Sequence, residues 1–217
     1  MSEKFFDVYI DFGSSKIIAT AFNKKNKKSF SVSSKCFSSF KSTQLNFNNS
    51  KTVLEKLILE IEKKTGEYLN SINLMIDSPE VLSIGVSLSK KNDGKKIRKS
   101  DIQYLIQDAK QQVIKFYPNK NIIHIIASNY KVDNNNFDYP PIDVECNFFV
   151  IDIIFICYPK ELIKNLESLF YENQININQV LSSSYAKSLN CKEQYVNFFD
   201  KIVFLDVGYE KTSITVF

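Results

Sequence analysis

Apolar and polar residues alternate along "FFDVYIDF" (5–12), along "KIIATAF" (16–22) and along "SFSVSSKCF" (29–37). Short runs of period two, separated by polar turns, predict an antiparallel meander with strands near 5–12, 16–23 and 28–37. The period then changes. In "SKTVLEKLILEIEKKTGEYL", Leu54, Leu57, Ile58 and Ile61 fall on one helical face, and Thr52 with Glu55 reads as a capping box. "SINLMID" predicts a strand. "EVLSIGVSLSKKNDGKKI" predicts a strand and a charged turn at Asp93-Gly94. "RKSDIQYLIQDAKQQVIKFY" predicts a second helix, with Ser100 and Gln103 as its box and Ile102, Leu105, Ile106, Ala109 and Val113 inward. The strands "NIIHIIASNYKV" and "NFFVIDIIFICY" flank the loop "DNNNFDYPPIDVEC". Pro159 is expected to open a third helix, whose apolar face is Leu162, Ile163, Leu166, Leu169 and Phe170. "INQVLSSSYAKSL" reads as a fourth helix and "KIVFLDVG" as a closing strand, expected at 202–208 in one sheet with the first three. This order predicts an α+β module inserted into an α/β domain.

The chain has 217 residues, 44% of them hydrophobic, enough for one globular unit or two small ones. Net charge is +4 and the pI about 8.7. Much of the positive charge sits in short clusters such as Lys24-Lys25-Asn26-Lys27-Lys28. These read as solvated turns. A nucleic-acid surface would need interleaved aromatics or a recognisable module, so no nucleic-acid partner is expected. Cys36, Cys146, Cys157 and Cys191 show no C-x-x-C spacing, and His124 is the single histidine. That disfavours a structural zinc site and points to free thiols in a reducing compartment. His124 lies in an apolar strand with no nucleophile beside it in sequence, which disfavours histidine-dependent nucleophilic catalysis. The N-terminus moves straight into a strand, and no apolar run is long enough to span a bilayer. A soluble cytoplasmic protein is therefore expected.

The polar turn after the first strand has a counterpart near the end of the chain. "DVYIDFGSSKIIATAF" and "IVFLDVGYEKTSITVF" share the pattern D-x-G-x-x-K-x-x-x-T-x-F. The matching pairs are Asp11 and Asp206, Gly13 and Gly208, Lys16 and Lys211, Thr20 and Thr215, Phe22 and Phe217. A polyphosphate site needs backbone N–H groups aimed at oxygen, small residues that allow close approach, and carboxylates that hold magnesium through water. Asp11, Gly13, Ser14, Ser15 and Lys16 offer these parts. Two of only five glycines occupy matching positions. Each turn alone is an ordinary hairpin; as a pair they become candidates for a clamp, with Asp11 and Asp206 opposed across a metal.

These segments resemble the two phosphate motifs of the actin-like ATPase superfamily, and the chain as a whole resembles its FtsA family. "DFGSSKI" is similar to the first motif, D-I-G-T-S-K, and "LDVGYEKTSITVF" to the second, D-I-G-G-G-T-T-D-I-A-V-F. "IRKSDIQYLIQDAKQ", "YPPIDVEC" and "PKELIKNLESLFYENQININQVLSSSYA" resemble the middle of FtsA, including its own inserted subdomain. The resemblance implies an actin-like (ribonuclease H-like) ATPase domain with an inserted small α+β subdomain. It would divide the chain into 1–79, 80–160 and 161–217. It implies ATP and magnesium as cofactors. Asp11, Gly13, Ser14, Ser15 and Lys16 would serve the first loop, and Asp206, Gly208 and Thr212 the second, with Asp11 and Asp206 holding magnesium through water. No catalytic residue is implied beyond at most a weak ATPase. The implied role is assembly at the inner face of the cytoplasmic membrane: self-association into filaments, linkage of the FtsZ-like tubulin homologue to the membrane, and recruitment of later division proteins.

Departures from the motifs bear on this. Tyr209 and Glu210 stand where the family has glycines, Lys211 replaces a Thr, and Ser213 replaces an Asp. Side chains at 209 and 210 are expected to crowd a phosphate, and Glu210 adds negative charge that Lys211 partly offsets. Ser78-Pro79 replaces a Ser-Gly pair. The family's second large domain and its C-terminal membrane helix are expected to lie outside this chain, which would make it a shortened natural form or a truncated one. Two alternatives share the fold: a PilM-like platform protein of type IV pilus assembly, and an actin-like ATPase of the sugar-kinase branch.

Overall fold

The computed structural model describes residues 5–40, 48–195 and 201–217. They divide into two compact units, Met1–Glu80 with Glu161–Phe217, and Val81–Lys160.

In the first unit, β1 (Phe6–Phe12), β2 (Lys16–Asn23) and β3 (Ser29–Lys35) form the expected meander. Alternation sends Val8, Ile10 and Phe12 of β1 into the core and leaves Asp7, Tyr9 and Asp11 on the other face. Helix α1 (Asn48–Thr65) packs against β2 and β3 with Leu54, Leu57 and Ile61 buried. It begins at Asn48, so Thr52 lies inside it and the predicted Thr52–Glu55 capping box does not mark its start. Strand β4 (Ser71–Ile76) runs parallel to β1.

The second unit holds β5 (Leu82–Lys91), α2 (Lys99–Phe116), β6 (Lys120–Val132), β7 (Asn135–Phe137) and β8 (Phe148–Pro159), in sheet order β5-β8-β6-β7. Helix α2 packs on β5 and β8, burying Ile102, Leu105, Ala109 and Val113 against Phe149, Ile151, Ile153 and Phe155. Asp93 and Gly94 take positive φ, 51° and 74°, in the turn predicted there. The predicted Ser100–Gln103 box is replaced by one two residues earlier, Arg98 with Asp101. Arg98 is the N-cap, and its backbone N–H donates to Asp101 Oδ2 at 2.9 Å. Asp101 also receives the ammonium of Lys90, a β5 residue, and is itself buried. These contacts hold the Asp101 carboxyl at about 2, below its usual value; the Lys90 hydrogen bond contributes most, and the Arg98 bonds add to it against burial. His124 lies on β6, where burial lowers its pKa.

The chain returns to the first unit through α3. Pro159 is the last residue of β8, paired with Lys120, and α3 (Lys160–Tyr171) starts just after it. All five predicted inward residues of α3 are buried. Phe12 is fully buried and meets Phe40 at 5.5 Å and Phe170 at 6.4 Å between ring centroids. Burying one such ring is worth about 2–3 kcal/mol.

The segment read as a fourth helix is first a strand. β9 (Asn176–Ser182) pairs parallel to β4 and completes the sheet order β3-β2-β1-β4-β9; α4 (Ser183–Tyr195) begins only after it. Ile177, Val180 and Leu181 gain more from lying beside β4 than from extending the helix. The predicted strand at 202–208 is β10 (Val203–Val207). It does not join that sheet but pairs with β11 (Thr212–Val216) in a separate hairpin. One face of this hairpin is open, with Val203, Leu205, Val207, Ile214 and Val216 exposed. Helix α4 packs against β9, β10 and β11.

Candidate functional site

The repeat seen in the sequence is a repeat of structure. In the first hairpin Asp11 pairs with Ile18 and Phe12 with Ile17; in the second, Asp206 pairs with Ser213 and Val207 with Thr212, the same register. Each turn closes identically. Gly13 N donates to Lys16 O at 3.0 Å, and Gly208 N donates to Lys211 O at 2.9 Å. A Cβ at either glycine would stand 2.9 Å from that carbonyl oxygen. Close approach inside the turn is thus what requires glycine at both positions, and both glycine N–H groups are used within their own hairpins.

The two aspartates are brought together by α4. Ser183 and Lys187, one helical turn apart, share a face of α4. Ser183 Oγ donates to Asp11 Oδ1 at 2.8 Å. Lys187 Nζ lies 3.3 Å from Asp11 Oδ2 and 3.6 Å from Asp206 Oδ2. The ammonium therefore bridges the carboxylates of the two repeats. Burial alone would lower the Lys187 pKa, but the charges and hydrogen bonds of Asp11 and Asp206 outweigh it and the net shift is upward.

Around this bridge the second turn is tied to the first half of the unit by its side chains. Lys211 pairs with Asp77, just past β4, and Ser213 Oγ donates to Asp77 Oδ2 at 3.1 Å. Glu210 Oε2 accepts the Phe40 backbone N–H at 3.1 Å, and the Tyr209 ring meets Phe37 edge-on at 5.4 Å. The first turn is anchored to the same segment: Ser14 O and Ser15 O accept the N–H groups of Ser38 and Cys36, each at 3.0 Å.

Of the predicted site residues, Asp11 and Asp206 are thus held together. Gly13, Ser14 and Ser15 lie in one turn and Gly208 in its counterpart. Lys16 is exposed at the end of the first turn. Thr212 lies on the exposed apolar face of its hairpin, across from Val207 and away from Asp206. Asp77, Ser183, Lys187 and Ser213 were not picked out from the sequence as site residues. The one available signal was the i, i+4 spacing of Ser183 and Lys187.

The arrangement does not fit a magnesium ion between Asp11 and Asp206 as folded, because the position between the carboxylates holds a protein ammonium. Among the described residues no group of three or more His, Cys, Asp or Glu side chains could hold a metal. No helix among them is long and apolar enough to cross a membrane.

Comparison with known proteins bears on the fold and on the inserted unit. Residues 80–156 match the family model of the SHS2 domain inserted in FtsA. No curated protein matches the chain. Among solved structures, a PilM-PilN type IV pilus biogenesis complex aligns with TM-score 0.66 at 10% identity, covering 97% of this chain and 57% of that one. The chain thus spans little more than half the length of that relative. A Bacteroides thetaiotaomicron VPI-5482 protein with an actin-like ATPase fold and unknown function aligns with TM-score 0.45 at 14% identity, covering 99% of this chain and 66% of that one. The chain is an α/β protein that shares its fold with the PilM-PilN type IV pilus complex, and its residues 80–156 match the SHS2 domain inserted in FtsA.

Proposed function

We propose that the chain is part of an FtsA-like cell-division protein, primarily an assembly factor and at most a weak ATPase. In this reading it self-associates in actin-like filaments at the inner face of the cytoplasmic membrane. It links an FtsZ-like tubulin homologue to that membrane and recruits later division proteins, with the unit Val81–Lys160 as a docking surface. The observation that carries the reading is the FtsA-type SHS2 match over 80–156, coincident with a separately packed unit. That unit offers exposed side chains suited to docking, among them Gln103, Tyr104, Gln107 and Gln111 on α2 and Lys95 and Lys96 before it. Nucleotide binding is weak or absent in this reading, since the glycine N–H groups and the acidic side chains of the two turns already have partners within the chain.

A second reading is favoured by one observation. The PilM-PilN complex covers nearly all of this chain with TM-score 0.66, which supports a pilus-platform role. One experiment separates the two: co-sedimentation of the protein with FtsZ polymers, beside pull-down with a PilN-type peptide. Capture by FtsZ that weakens when Lys95 and Lys96 are both changed to Glu, with an unchanged melting curve, supports the division reading. Binding of the peptide alone overturns it.

A further inference from the structure

We infer that Lys187 is a built-in cation that takes the place of a divalent metal ion between Asp11 and Asp206, closing that position to metal.

Three features of the site lead to this. The first is position. The ammonium sits 3.3 Å and 3.6 Å from one oxygen of each aspartate, between the equivalent carboxylates of two hairpins that share register and turn closure. A metal serving both repeats would have to occupy the same space. The second is charge. Asp11 and Asp206 are mostly shielded, their side chains 20% and 24% exposed, so two facing carboxylates need a counter-charge. The chain supplies it. The third is that the neighbouring acid is neutralised in the same way. Asp77 is paired with Lys211 and hydrogen-bonded by Ser213, and Ser213 is the ladder partner of Asp206. Three carboxylates and two ammonium groups thus form one contiguous cluster on one face of the hairpin, leaving a net charge of only −1 for a metal to seek.

Tethering decides the competition. An ammonium carried on α4 is present at an effective concentration of at least millimolar order, whatever the solution contains. Magnesium also gives up its hydration water reluctantly and prefers sites with several free oxygens. To enter, it would have to expel Lys187 and leave the ammonium without its partners. The inference depends on the local geometry of α4 and the two hairpins and not on the division role, so a failed FtsZ assay does not touch it.

The test is binding of Mn2+, followed by loss of the free-ion paramagnetic resonance signal, with the 217-residue chain. Wild-type protein is expected to bind no Mn2+ that depends on Asp11 and Asp206. Lys187→Gln is expected to gain one Mn2+ site that the wild type lacks, which Asp206→Asn in the same chain removes. Lys187→Arg, which keeps the charge, is expected to gain none. A wild-type site abolished by Asp206→Asn overturns the inference, because Lys187 then does not exclude the ion. So does a folded Lys187→Gln protein that gains no site. If Lys187→Gln fails to fold, the wild-type comparison decides: a site lost with Asp206→Asn overturns the inference, and its absence at millimolar Mn2+ upholds it.

Discussion

The carboxylate of Glu210 accepts the backbone N–H of Phe40 at 3.1 Å, joining residues 170 positions apart in the chain. The side chain expected to crowd a phosphate is thus a strut between the second turn and the segment that follows β3. Removing it as Glu210→Ala leaves a partly buried amide without its acceptor, and a loss of about 1 kcal/mol is expected. Glu210→Gln keeps an acceptor and should lose less than half of that. Urea denaturation of the three proteins measures both; equal stability of all three would show that water replaces the carboxylate.

Because the N–H groups of Gly13 and Gly208 and the Lys211 ammonium are engaged within the protein, ATP should bind weakly. Calorimetry with ATP and magnesium should give no saturable heat up to about 1 mM, a binding free energy weaker than about −4 kcal/mol. A micromolar dissociation constant would show that the turns open for the ligand.

Gly13 and Gly208 should behave as a pair. Alanine at either puts a Cβ 2.9 Å from a backbone carbonyl oxygen, so the turn must shift. A cost of about 2 kcal/mol is expected at each. Gly85 on β5 is the control, since an added Cβ there meets nothing within 4 Å. Gly85→Ala should be neutral or slightly stabilising. Thermal melts of the three variants check this, and equal melting temperatures for Gly13→Ala and Gly85→Ala would refute it.

Asp101 makes the Val81–Lys160 unit sensitive to acid. Its carboxyl titrates at about 2 when folded, lowered chiefly by the Lys90 hydrogen bond, against an ordinary value of 3.8. A depressed carboxyl contributes stability that is present above its unfolded value and is lost as the pH falls. Stability should therefore decline between about pH 4 and pH 2. Asp101→Asn should cost about 2 kcal/mol at neutral pH, the scale of a hydrogen bond to a charged group. It should also flatten the acid limb of the stability profile. A variant whose stability falls in parallel with wild type over that window would assign the acid sensitivity to other carboxylates.

What the sequence determined by itself is local. The period of apolar residues set the meander, the inward faces of α1, α2 and α3, and the turn at Asp93-Gly94, because strand and helix geometry fix which neighbours share a face. The matched D-x-G-x-x-K segments set two hairpins of one register, because each turn closes within four residues, from a glycine N–H to a lysine carbonyl. Tertiary structure decided the rest. Whether Ile177 to Leu181 form strand or helix depended on β4 being beside them. The cap of α2 depended on Asp101, which also meets Lys90 of β5. The partners of the two conspicuous aspartates came from α4, 172 residues from Asp11 in the case of Ser183. No spacing in a single chain encodes such pairings. They arise only when a sheet of order β3-β2-β1-β4-β9 and a separate hairpin place a helix, with its lysine, between two carboxylates.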